Sequence, residues 1–126
     1  MVAIVAILAS VALPSYRDYI TRGNFPEATS QLSAAQVRME QWFQDTRTYV
    51  GAPVCAAGAL TSQHYTYACD ITNATTYTIT ATGTGSMNGF GFTIDQAGGK
   101  TTSAVPTGWS AHSPNNCWIV RKGGSC

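Results

Sequence analysis

Charge is scarce in this chain: 10% of its 126 residues are Asp, Glu, Lys or Arg, and the formal net charge is +1. So small an imbalance makes no broad field to gather nucleic acid or steer an acidic substrate. Histidine is limited to His64 and His112, and neither has a carboxylate or cysteine at convincing ligand or triad spacing. His112 with Cys117 is the one pair that could be forced into a metal site, and Cys126 is the better claimant for that cysteine. Surface or packing roles are therefore expected for both histidines, and the chain is read as a non-enzyme with no cofactor. The glycines between Gly83 and Gly89 lack the lysine and the strand-to-helix setting of a phosphate loop, so a turn between strands explains them. Asn73-Ala74-Thr75 matches a glycosylation sequon, which a short pattern does by chance. There is no CxxC pair, no internal repeat, and no run of the ~20 apolar residues that a spanning helix needs.

What is present is a 44% apolar chain of single-domain size with one hydrophobic appendage. The opening thirteen residues, MVAIVAILASVAL, carry no charge and give way at once to Pro14-Ser15-Tyr16-Arg17-Asp18-Tyr19. A secretory signal would show a basic start, an A-x-A-like cleavage site and a break into the mature domain. Here the residues after Pro14 all tolerate a helix, so the helix is read straight through, with a further apolar part expected upstream. Four cysteines without a CxxC pair suit an oxidising compartment and an exported protein. They allow three pairings. Cys55 with Cys69 and Cys117 with Cys126 close the shortest loops and are preferred, each loop contributing about 2 to 3 kcal/mol in the chain-entropy model.

From Met1 to about Arg47 the pattern is helical, on the order of 70 Å long. Pro14 should kink or loosen it, and Gly23 with Pro26 makes a second weak point, where Asn24 and Glu27 resemble a capping box that restarts the helix. The first half is apolar all round. In the second, Ala28, Leu32, Ala35, Met39, Trp42 and Phe43 recur at spacings of three and four and form a head-packing stripe. Beyond Tyr49 the composition shifts to Gly, Thr, Ser and Ala. Strands are expected over 65–71, 75–82, 89–95 and 100–103, with Tyr77, Ile79 and Ala81, then Phe90, Phe92 and Ile94, on one face. An α+β domain follows: an antiparallel sheet of about four strands wrapped on the second half of a long helix.

The stretch VAIVAILASVALPSYRDYITRG resembles the amino-terminal signature of type IV pilins, whose mature chains begin with a methylated aromatic residue and carry a glutamate soon afterwards. The resemblance places that start roughly eight residues before Met1, allowing for a lipid-length helix. One departure is Ala6, where the family often has a helix-loosening glycine. The Cys117-Trp118 pair and the closing Cys126 are similar to the carboxy-terminal disulfide loop of the family, with PilE-type minor pilins nearest. The resemblance implies a ladle-shaped pilin fold in two parts. Residues 1–24 form the membrane and filament-core half, with Val2, Ile4, Val5, Ile7, Leu8, Val11, Leu13 and Pro14 in the filament core. Residues 25–126 form the globular head, which displays Arg121 and Lys122 on an exposed loop.

That reading makes the chain a structural subunit of a type IV pilus, a minor pilin first and a major pilin second. It would be held in the bacterial inner membrane and then assembled into the extracellular fibre. Expected partners are other pilin subunits, the inner membrane, a prepilin peptidase and the assembly platform, with roles in twitching, adhesion or DNA uptake. A type II secretion pseudopilin shares the helix but often carries an acidic calcium site, for which Asp70 and Asp95 offer little. In a DNA-binding competence pilin, Arg38, Arg47, Lys100, Arg121 and Lys122 would have to converge. The balancing acids argue against such a surface, and nucleic acid is not expected among the partners. Outside the family, the rival is an anchored or secreted binding module.

Overall fold

The computed structural model describes residues 2–126, without the side chains at 11, 12, 14 and 15. The contributions expected of Val11 and Pro14 to a filament core therefore lie outside the described residues. One helix, α1 (Val2–Thr46), occupies more than a third of the chain. It runs unbroken through position 14 and through Gly23-Asn24-Phe25-Pro26, where a restart was expected. The capping box fails because Glu27 has better partners elsewhere. Its Oε1 accepts from the backbone N–H of His64 at 2.7 Å, and its Oε2 lies 2.9 Å from the His64 ring Nδ1. Pro26 withholds one helical hydrogen bond. Phe25, 3% exposed, compensates by packing edge-on against Phe90, Phe92 and Trp109, which holds the turn against the head.

Past the helix, Arg47 takes a positive φ of 60° and its N–H reaches back to the Phe43 carbonyl. A loop with a short 3-10 turn at Pro53–Cys55 then leads to the sheet. The strands are β1 (Tyr65–Asn73), β2 (Thr76–Gly83), β3 (Gly91–Asp95) and β4 (Lys100–Ala104), paired antiparallel in sequence order. Tyr77, Ile79 and Ala81 of β2 and Phe92 and Ile94 of β3 face the helix and are buried. Ala28, Leu32, Ala35 and Met39 of α1 meet them fully buried, with Trp42 and Phe43 half-buried at the edge. The opposite face is a threonine array, with Thr80 beside Thr93 and Thr93 beside Thr101, their last two hydroxyls hydrogen-bonded.

Between β2 and β3 the chain forms a second 3-10 turn, Gly85–Met87, that sends Met87 wholly into the core. A side chain at Gly83 would collide with the Met87 carbonyl, so this inward turn requires glycine. Two disulfides are present. Cys55–Cys69 ties the loop after α1 to β1, with Cα atoms 5.7 Å apart, and Cys117–Cys126 closes the tail, at 6.2 Å.

The outer edge of β4 is covered by the tail. Asn115 bonds to the Thr102 backbone as a neighbouring strand would, accepting from its N–H at 2.9 Å and donating to its carbonyl at 2.8 Å. The buried Thr102 hydroxyl donates to the Cys117 carbonyl and accepts from the Ile119 N–H. An edge left open would be a template for unwanted pairing. Here it anchors the disulfide loop.

Candidate functional site

The first half of α1 stands away from the core. Val2, Ile4, Val5, Ile7, Leu8 and Leu13 are all exposed, from 56% at Leu13 to 85% at Val2. Tyr16, Tyr19 and Ile20 continue the exposed apolar surface towards the head. The Ser10 hydroxyl donates to the Ile7 carbonyl at 2.7 Å, so it presents no unmet donor to an apolar neighbour. A continuous surface of this kind marks an interaction site and is not left bare in water. Among the described residues, no helix is long and apolar enough to cross a membrane.

Where α1 enters the head, the carboxy-terminal loop comes alongside it. Arg121 and Lys122 are exposed at its tip, and the Lys122 Nζ lies 3.6 Å from the Asp18 carboxylate. Asp18, Arg22, Arg121, Lys122 and Gly123 line a shallow depression of about 340 Å³. The tip is held by backbone bonds from Ser110 N–H to the Lys122 carbonyl, from Gly124 N–H to the Arg121 carbonyl and from Val120 N–H to the Ser125 carbonyl. His112 Nδ1 adds a bond of 2.9 Å to the Gly124 carbonyl. A Cβ at Gly124, where φ is 92°, would lie 2.8 Å from the Ala111 carbonyl oxygen, so only glycine closes this turn.

Arg38 and Lys100 do not join this cluster. Arg38 lines a separate depression of about 330 Å³ with Gln41, Trp42, Asp45 and Pro53. Lys100 stacks over the Trp118 ring at 4.6 Å, whose indole N–H donates to the Thr93 carbonyl. His112, Cys117 and Cys126 bring ligand atoms within 4.8 Å of one another, but both sulfurs are spent in the disulfide, which leaves the imidazole alone.

His64 is more than the surface or packing residue expected of it: with Glu27 it joins α1 to the start of β1. Burial alone would raise the Glu27 pKa, but the bonds from the His64 ring and backbone outweigh it and hold the carboxyl below its ordinary value. Tyr49, buried and hydrogen-bonded through its hydroxyl to Glu40 at 2.8 Å, is pushed up to about 12 by burial first and by that carboxylate second. Phe25 escaped the sequence reading although it lies three residues before Ala28 and extends the same stripe. Glu27 and His64, 37 positions apart, left no local signal.

A helix that outruns its head, a four-stranded antiparallel sheet folded on its second half and a tail closed by a disulfide are together the architecture of a type IV pilin. The family model described as type IV minor pilin ComP, DNA uptake sequence receptor, matches residues 14–91. The chain belongs to that family, and it is a structural subunit of a type IV pilus. No curated protein matches it. Among solved structures it is similar to the non-core minor pilin PilV of Neisseria meningitidis. The two share 14% identity over 71% of this chain and 93% of that one, with a TM-score of 0.61, a likeness of fold. The family description names DNA, a ligand that the near-neutral charge spoke against.

Proposed function

We propose that the chain is a minor pilin held in the inner membrane by the first half of α1 and then transferred into the fibre, where the same face packs among helices of neighbouring subunits. The observation that carries this reading is the exposure of Val2, Ile4, Val5, Ile7, Leu8 and Leu13 along an uncharged stretch of a helix continuous with the head. Lipid and a helix bundle are both apolar, so the exchange is close to balanced, and small residues such as Ala3, Ala6 and Ala9 set how closely helices approach. A peptidase acting upstream and an assembly platform complete the scheme. Substituting Leu8→Asp is expected to remove the subunit from sheared fibres while the head keeps both disulfides, as immunoblots and non-reducing peptide maps would report. Fibres that retain this variant at the parental level would sink the proposal.

A second reading, favoured by the family description, is that the head binds DNA. Within the matched residues, the depression lined by Arg38, Gln41 and Trp42 offers a cation, an amide and an aromatic ring together. If it contacts one phosphate, Arg38→Ser should lower the salt slope of duplex binding by about 1. An unchanged slope and affinity would remove Arg38 from that role.

A further inference from the structure

We propose that the cleft between α1 and the carboxy-terminal disulfide loop, formed by Arg22, Arg121 and Lys122, is a binding site for anionic lipid headgroups that seats the head on the membrane before assembly. The inference rests on the reading that the first half of α1 lies in a bilayer. Given that, the helix itself sets the depth of every residue near its exit. Asp18 lies about 8 Å along the axis beyond Leu13, and Arg22 about 13 Å beyond it, at ~1.5 Å per residue. The polar layer on each side of a bilayer is about 5 to 8 Å thick. The ion pair between Lys122 and Asp18 therefore sets the loop tip at the outer limit of that layer, and Arg22, one turn farther out, lines the same depression.

The chemistry at that level is one-sided. Arg22, Arg121 and Lys122 line a depression with a single acid, Asp18, in a chain whose net charge is only +1. Tyr16 and Tyr19, both exposed on the same turns of α1, are the aromatic residues that settle at a membrane interface. The loop is also built to stay there, through the disulfide, the Gly124 turn and the bonds that join Asn115 and Cys117 to Thr102 of β4. A phosphodiester in the cleft would meet two guanidinium groups and one ammonium, a pattern suited to charge-assisted bonds.

The chain contains two lysines, which makes a direct test available. Lys122 reports on the cleft. Lys100 is a reference: its hairpin packs Gly98 against Gln36, on the order of 20 Å farther along α1 than Arg22. The full-length protein is reconstituted into phosphatidylcholine vesicles with or without phosphatidylglycerol, and acylation of each lysine by an impermeant reagent is followed by peptide mass spectrometry. Flotation with pure phosphatidylcholine checks the anchor alone, and failure to float overturns the membrane reading together with this inference.

With flotation intact, phosphatidylglycerol should slow modification of Lys122 about threefold or more while Lys100 keeps its rate. The double variant Arg22→Ser, Arg121→Ser should lose that protection and still float. Equal Lys122 rates in the two vesicle types, or protection that survives the double variant, overturn the proposal and leave the anchor standing. Protection in detergent by duplex DNA, with none from phosphatidylglycerol, assigns the cleft to nucleic acid instead. Equal protection by inorganic phosphate and by vesicles shows an ion site with no preference for a lipid surface, which also overturns it.

Discussion

The two halves of α1 share one continuous backbone and differ in everything attached to it. From Val2 to Leu13 the described side chains are apolar on all sides apart from Ser10, and all are exposed. From Phe25 to Met39 the buried apolar residues occupy one stripe, Phe25, Ala28, Leu32, Ala35 and Met39, while Val37 stays exposed off it. The contrast teaches that a helix can serve two purposes without a joint. The second half contributes its stability to the head, and the first contributes nothing until another apolar surface arrives. Gly23 and Pro26 mark the border in sequence, yet Phe25 and the Glu27–His64 pair clamp that border to the head.

Truncating the buried half should have the largest effect. Leu32→Ala is expected to cost about 2 to 5 kcal/mol, read from urea unfolding of the subunit in detergent. Ile7→Ala in the same assay should change stability by less than about 0.5 kcal/mol, because the side chain has no head contact to lose. Comparable losses from both substitutions would break the contrast between the halves.

Next in size is the Cys55–Cys69 bridge, which ties the loop after α1 to β1. Replacing both cysteines with serine should remove about 2 to 4 kcal/mol from the head, seen as a lower urea midpoint. The exposed first half of α1 should be untouched.

The border clamp comes third. Glu27→Gln keeps the shape and removes the charge, at an expected cost of about 1 to 3 kcal/mol near neutral pH. Because the folded carboxyl titrates lower than the unfolded one, its stabilisation is fully present above the unfolded value of about 4.3. It is lost as pH falls through the folded value. The parent should therefore lose stability more steeply than the variant as pH drops below ~4.3, and parallel curves would show that the carboxylate does not hold the border.

The smallest expected effect concerns Tyr49, which stacks on Phe43 at the far end of the buried half. Its raised pKa of about 12 favours the neutral phenol, so stability present below the unfolded value of ~10 should fall as pH climbs towards 12. Tyr49→Phe should cost about 0.5 to 1.5 kcal/mol and remove one late-titrating phenol from the ultraviolet titration.

Much of the architecture was legible because its causes are local. The stripe at 28, 32, 35 and 39 announced a one-sided helix, and the alternation through Tyr77, Ile79 and Ala81 announced a half-buried strand. The inward turn at Met87 was invisible, since a glycine-rich segment says that the chain turns and not which way its one large side chain goes. The Arg22, Arg121 and Lys122 cleft was half legible. The tail suggested an exposed loop, and nothing in its residues named Asp18 as its neighbour.

By itself, then, the order of residues determined which segments are helix and strand, which faces are apolar, and that the opening of the chain needs an apolar partner, because periodicity and hydrophobicity act over a few residues. Tertiary structure alone decided that α1 continues through Gly23 and Pro26, since the deciding contacts come from His64, Phe90, Phe92 and Trp109. It also decided that Asn115 completes the sheet edge and that Lys122 meets Asp18 where the helix leaves the head. Those pairings join distant positions, and only the packed fold brings their charges and donors within bonding distance.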